Sequence, residues 1–398
     1  MSKLIILLVV AFVDMVRLVM LYPLLPFYAT DFGASASTVG ILISAFSLAQ
    51  LVSAPAWGRF SDTRGRRPAI LAGLWLSAVA YVIFGLANSL AMLLFSRVVQ
   101  GMGGGTIGVV QAYVADVSDP KDRTKAFGWL SAVTSLGAVV GPVLGSVLAD
   151  LGGRRAPGLA SAVLCLLVSA FAWRYLRESH ELRQSASFGQ PVAAGAGRAA
   201  LWRVVTHSSE PVSRLVWIYA IAIGAFYGIG PILPLLLSDR FAGVTVRTMG
   251  YIVAYLGGMG VLVRALFLGK IVDALGEPRL SRLGLFLLAA GLALTGAARS
   301  YPVLFVAITL MPLGTAFLFP CITGMLSRVV PVRERGLYMS VQQTFGGVSR
   351  VAIPVAAGFL MDHYGRATPF WLAGMLVFAT LALTGALESY VVAQPARS

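Results

Sequence analysis

Acidic residues are scarce in this chain: 16 Asp and Glu stand against 31 Lys and Arg in 398 residues. Charge of either sign is thin, at 12% of residues, while 58% are hydrophobic and the mean hydropathy is +0.83. A soluble globular domain and a disordered chain are both excluded by that balance. There are two cysteines, Cys165 and Cys321, both inside apolar stretches, so no disulfide framework is implied. The three histidines, His180, His207 and His363, are scattered in polar connections. No metal-ligand spacing and no nucleophile motif accompanies them, so the residues suggest no metal, no cofactor and no enzyme. Nucleic-acid binding needs a basic face with stacking aromatics, and no polar segment is large enough to build one.

What is abundant is long apolar runs. A spanning helix needs about 20 mostly apolar residues. Twelve such runs occur, near 4–26, 38–57, 69–88, 90–114, 126–149, 156–176, 213–237, 246–268, 280–298, 301–326, 337–360 and 369–392. The first is too long for a signal-peptide core and runs into Pro23 and Pro26 rather than a cleavage site. With the N-terminus inside, 21 of the Lys and Arg residues fall on the inner side and 6 on the outer. That is the positive-inside bias. It explains the net charge of +15 and predicts a multi-pass protein of the bilayer with both termini cytoplasmic.

Against this background Asp14 and Arg17 stand out, three residues apart inside the first run. A charge at a helix centre costs at least ~2.5–3.5 kcal/mol, and intramembrane ionisable residues mark pathways. Positions i and i+3 share a face, so the two groups can meet. Asp14 is the sole acid deep within a span, since Glu388 lies near the end of the twelfth. Desolvation favours its neutral form and Arg17 the carboxylate, a balance suited to taking up and releasing a proton. Removing its charge is expected to ease insertion.

The chain also repeats itself at an offset of 211 or 212 residues. Gly58-Arg-Phe-Ser-Asp62-Thr-Arg-Gly65 matches Gly269-Lys-Ile-Val-Asp273-Ala-Leu-Gly276, and Arg123, Pro142 and Asp150 match Arg335, Pro354 and Asp362. Between the halves, 177–212 reads as a polar linker. The expected fold is all-α, with twelve transmembrane helices in two pseudo-symmetric six-helix bundles. These are 1–176 and 213–398, with a binding site at the midplane between them.

Gly58-Arg-Phe-Ser-Asp62-Thr-Arg-Gly65-Arg66-Arg67 resembles the loop between the second and third spans of the major facilitator superfamily. Physically it reads as a cytoplasmic latch. Gly58 and Gly65 would turn the chain, while Asp62 would accept from a helix N-terminus and pair with a loop arginine. Gly269 and Asp273 would repeat it. Arg97-Val-Val-Gln100-Gly in the fourth span resembles the family's second motif, which implies a part in proton coupling for Arg97 beside Asp14 and Arg17. Gly137, Gly141, Pro142 and Gly145 in the fifth span resemble the motif of its exporters. Glycines four apart let helices approach closely, and the proline bends one.

More narrowly, Asp14, Tyr22-Pro-Leu-Leu-Pro26, Tyr113-Val-Ala-Asp116 and Phe127-Gly-Trp129 resemble twelve-span drug/proton antiporters, nearest the tetracycline-exporter type. Departures from that type are Ala80, Gly260 and Leu288 at ionisable positions, Arg264 for an amide and Arg17 for a glycine. The resemblance implies proton-coupled export of a small amphipathic drug or metabolite across a bacterial-type inner membrane, by a monomer. Buried amides need partners, so Gln50, Gln111, Gln342 and Gln343 are candidate substrate contacts, with Tyr113, Tyr227 and the central Arg350. The alternative is an organic-anion transporter using Arg17, Arg264 and Arg350.

Overall fold

The computed structural model describes residues 3–118, 122–176, 178 and 196–385. Glu388 and half of the linker lie outside these. No strand occurs among the described residues. This follows from the solvent: lipid offers no hydrogen-bond partner, so a spanning backbone must satisfy itself.

The helices in chain order are α1 (Lys3–Met20), α2 (Leu25–Asp31), α3 (Ala36–Arg64), α4 (Arg66–Gly85), α5 (Leu90–Gly104), α6 (Ile107–Val117), α7 (Arg123–Gly152) and α8 (Ala156–Tyr175). They continue as α9 (Ala196–Thr206), α10 (Pro211–Ile223), α11 (Leu233–Arg240), α12 (Val246–Leu266), α13 (Leu268–Leu275), α14 (Glu277–Ala297), α15 (Tyr301–Val329), α16 (Arg335–Tyr364) and α17 (Thr368–Ala379). Among the described residues eleven segments are long and apolar enough to cross a membrane, and Thr368–Thr384 is a shorter apolar helix where the twelfth run is expected. The chain is a multi-pass all-α membrane protein.

Several runs extend past their sequence-expected ends. Pro26 does not stop the first span: it sits in the first turn of α2, where a missing N–H costs nothing, and the span continues to Asp31. Ser35 and Ser89 cap α3 and α5, their side chains accepting from the N–H groups of Thr38 and Met92. The fourth span breaks after Gly104 and resumes at Ile107. The seventh passes from α10 through a π turn, Gly224–Gly228, and a short 3-10 turn before α11.

The internal repeat is visible in the backbone. α7 and α16 have the same length and begin and end 212 residues apart. The left-handed glycines Gly65 and Gly276 are 211 apart.

Contacts group the described residues into two units. The first takes those within Met1–Gly189 and Leu237–Gly258, the second those within Gln190–Leu236 and Met259–Ser398. In the first, α1 packs on α7, α4 on α8 and α5 on both α3 and α4. Its core includes Leu7, Val10, Ile70, Leu74, Tyr113 and Val114. In the second, α14 packs between α15 and α17, and α10 packs on α16. Phe317, Leu280 and Cys321 anchor a smaller core there.

Candidate functional site

The glycines of the fifth span fix the position of the first. A Cβ at Gly137 would lie 2.8 Å from the Phe12 carbonyl oxygen, and one at Gly141 2.6 Å from that of Val16. One at Gly145 would strike the Met20 carbonyl. The stripe Gly137, Gly141, Gly145 therefore lets α1 rest on the backbone of α7, a packing that only small residues permit. On another side of α7, a Cβ at Gly250 of α12 would lie 2.7 Å from the Pro142 carbonyl.

Beside this contact a cavity of about 280 Å³ opens among α1, α6 and α7. Its walls are mainly apolar, with Met15, Leu18, Val110 and Phe127 among them, and Gln111, Ser131 and Thr134 add neutral polar groups. Asp14 is the only charged residue in the lining among the described residues. Its carboxylate is ion-paired to Arg17, as the spacing predicts. The Asp14 side chain is 20% exposed and that of Arg17 only 4%.

Behind Asp14 a polar chain runs through the packed interior. Arg17 Nη1 donates to the Tyr81 hydroxyl at 3.4 Å, and Gln100 Nε2 donates to the same oxygen at 2.7 Å. Gln100 Oε1 in turn accepts from Arg97. The Arg97 guanidinium stands 4.8 Å from the centre of the Phe46 ring, a cation–π contact. Arg97 is therefore not the direct partner of Asp14 that the sequence suggested. Tyr81 and Gln100 stand between the two. Gln100 lies in the quoted motif, but Tyr81 lies in none of the quoted motifs.

The other expected contacts divide. Gln111 shares the cavity with Asp14. Gln50 instead donates to the Gly104 carbonyl at 3.2 Å, satisfying an end of α5. Tyr113 is fully buried in the core and packs rather than lining a site. In the second unit Gln343 donates to the Tyr219 hydroxyl at 3.1 Å, and the Phe319 ring lies against Tyr219 and Tyr227. Tyr219 and Phe319 join that cluster unforeseen. Gln342 is fully buried and its Oε1 accepts from Thr323 at 3.4 Å. Arg350 has no hydrogen bond or ion pair among the described residues and is half-buried on α16. Arg264 turns back on its own helix, donating to the Gly260 carbonyl at 2.8 Å.

The latch differs in its parts. Gly58 does not turn the chain. It sits within α3, where a Cβ would meet nothing, and Gly269 sits likewise within α13. Gly65 makes the turn, at φ +103°. Arg66 pairs with Asp62 at 2.9 Å and with Asp116 at 3.1 Å. The N-terminus of α4 is held by Glu178: its two oxygens accept from the backbone N–H groups of Arg66 and Arg67 at 2.9 and 3.1 Å. Arg67 donates to the Trp173 carbonyl at 2.5 Å. In the second unit Asp273 is exposed and has no partner among the described residues. Glu277 pairs with Arg328 there instead.

The Asp62–Arg66 pair is half-exposed and worth about 0–1 kcal/mol. Asp62→Asn is accordingly expected to leave the melting midpoint of purified protein nearly unchanged while strongly slowing transport. Glu178→Gln removes a charge from a helix N-terminus, worth about 0.3–1 kcal/mol, and should lower the midpoint more than Asp62→Asn. The reverse order of midpoints would deny Glu178 its capping role, and normal transport by Asp62→Asn would reduce the loop to a topology signal.

The residue pattern and geometry agree with the comparisons. The model of the Major Facilitator Superfamily matches residues 7–266 and 215–396. Multidrug resistance protein 2 of Bacillus subtilis (strain 168) is 28% identical over 390 residues, covering 94% of this chain and 92% of that protein. Tetracycline resistance protein, class G, of Vibrio anguillarum is 28% identical over 395 residues, covering 95% of each. Among solved structures, the human organic anion transporter MFSD10 (TETRAN) superposes with a TM-score of 0.69 at 24% identity, over 96% of this chain and 99% of that one. The transporter PepTSo does so at 0.78 and 11%, over 98% and 99%. The fold is shared with both. From the first span to the last, this chain belongs to the Major Facilitator Superfamily and is a membrane transporter, not an enzyme.

Proposed function

We propose that the chain is a proton-coupled exporter of small amphipathic compounds, working by alternating access. The observation that carries this reading is Asp14, the one ionisable group among the described residues in the wall of a mainly apolar cavity. Such a wall suits an amphipathic guest with an apolar body and one polar or cationic group. Arg17 is shut away behind Asp14 as its counter-charge. The same carboxyl can then bind a proton in one access state and lose it in another. Export and a drug-like substrate are supported by the relatives named for multidrug and tetracycline resistance.

The same reading places the chain in a bacterial-type inner membrane as a monomer with both termini cytoplasmic. Its repeats are 1–176 and 213–398, joined by the linker 177–212. A second reading, organic-anion transport, is favoured by Arg350, which lacks a counter-charge among the described residues. Arg17 supports it less, being absent from the cavity wall.

Proteoliposomes with an imposed pH gradient separate the two. A lipophilic cationic dye should accumulate against its own gradient and dissipate the proton gradient as it does so. Movement of an aromatic carboxylate alone would replace this reading with the second, and dye movement indifferent to pH would remove proton coupling from it.

A further inference from the structure

The short helix α9 has two unlike faces. Ala200 and Val204 are buried, and the helix packs on the starts of α10 and α16. Trp217 Nε1 donates to the Val204 carbonyl at 3.3 Å, and a Cβ at Gly197 would lie 4.0 Å from Leu337. Arg203 grips Glu210 with two nitrogens, at 2.9 and 3.1 Å. Trp217 and Leu337 lie within the first two turns of spans, so α9 lies where those spans reach the membrane edge.

Its other face carries Arg198, Trp202 and Val205, at spacing i, i+4 and i+7, one stripe of a helix. Trp202 is 69% exposed and Val205 50%. Arg198 is also exposed, without a partner among the described residues. We propose that this stripe is a docking surface for anionic phospholipid: Trp202 and Val205 sink into the headgroup boundary and Arg198 holds a lipid phosphate.

Three considerations select lipid over protein. An indole with an apolar body and an N–H is the side chain that collects at this depth. A guanidinium is charge-complementary to phosphate and meets it with paired hydrogen bonds. An 11-residue helix with one free stripe also offers far less than the roughly 800 Å² per partner of a stable protein interface. The inference is independent of what is transported.

The test uses full-length protein in nanodiscs with a nitroxide on Val205→Cys. The native Cys165 and Cys321 are buried and do not compete for label. Ser208→Cys serves as the aqueous control, and Thr206→Cys gives a second reading from the same helix. The ratio of oxygen to nickel-chelate accessibility at 205 should be severalfold that at 208. Titrating phosphatidylglycerol into phosphatidylcholine discs should immobilise the label, and Arg198→Gln should shift that titration by about fivefold, the effect of one basic residue near an anionic surface. Equal nickel accessibility at 205 and 208 would show that the stripe faces water. Dipolar broadening between labels in phosphatidylcholine and detergent alike would assign it to a second copy. Either result overturns the proposal.

Discussion

Asp14→Asn is expected to bind substrate with an affinity that no longer changes with pH, and to fail to concentrate it against a gradient. The amide keeps an oxygen for Arg17 but cannot exchange a proton, so binding survives and coupling does not. Because linkage between proton and ligand is reciprocal, the flat affinity profile and the lost accumulation must appear together. Easier insertion is not expected to carry over into a more stable folded protein. Arg17 is buried with Asp14 as its counter-charge, and removing one partner of such a pair costs about 3–5 kcal/mol, less whatever the amide retains. The variant should therefore melt earlier.

Tyr81→Phe supplies the contrast. It deletes the oxygen that accepts from both Arg17 and Gln100, leaving buried donors unmet at about 1–3 kcal/mol, yet leaves the Asp14 carboxyl in place. Its binding should stay pH-dependent. Affinity measured across pH for wild type and both variants decides the matter. Accumulation by Asp14→Asn under a proton gradient would move the coupling site elsewhere.

The second large effect is expected from a single methyl group. Gly141→Ala should destabilise the protein and depress transport, and Gly141→Leu should abolish both. In a free helix alanine is better than glycine by about 0.8–1.0 kcal/mol. Here its Cβ would stand 2.6 Å from the Val16 carbonyl oxygen and 3.2 Å from the Met20 nitrogen, both backbone atoms that cannot rotate away. Relieving this requires α1 to withdraw from α7, and overpacking of this kind costs typically 1–3 kcal/mol. The movement would carry Asp14 with it. Gly128→Ala, on the same helix with nothing within 4 Å, isolates the propensity term and should be neutral or stabilising. If Gly141→Ala matches Gly128→Ala in melting and transport, the close approach of the two helices is not there.

These contacts differ in how far they can be read from sequence. The Asp14–Arg17 and Asp62–Arg66 pairs lie one helical turn apart, so helical geometry alone brings them together. The glycine stripe announces itself by its spacing, although not which helix it receives. Tyr81 and Arg17 are 64 residues apart, and Arg66 and Glu178 are 112 apart. Nothing local tells a packed tyrosine from one that accepts two hydrogen bonds, or an acid in a polar linker from a helix cap. Tyr113 fails the other way: it sits in a family-like motif, yet it is fully buried in the core cluster of the first unit. Gly58 was misread because helix α3 runs on to Arg64 without using its freedom. Motifs reveal which residues matter, whereas partner choice depends on tertiary packing.

The ion pairs beside the two left-handed glycines have opposite polarity. Arg66 faces Asp116 in the first unit, while at the repeat-equivalent places Glu277 faces Arg328. Residues 66 and 277 are 211 apart, and 116 and 328 are 212 apart. A gene duplication begins with interchangeable parts, and a nascent chain with interchangeable parts can assemble the wrong pair. Here such a mistake would set Arg66 against Arg328, or Glu277 against Asp116, with like charges meeting where the chain leaves the bilayer. The two contacts are therefore not interchangeable: each repeat holds this corner with the charge order its sibling lacks.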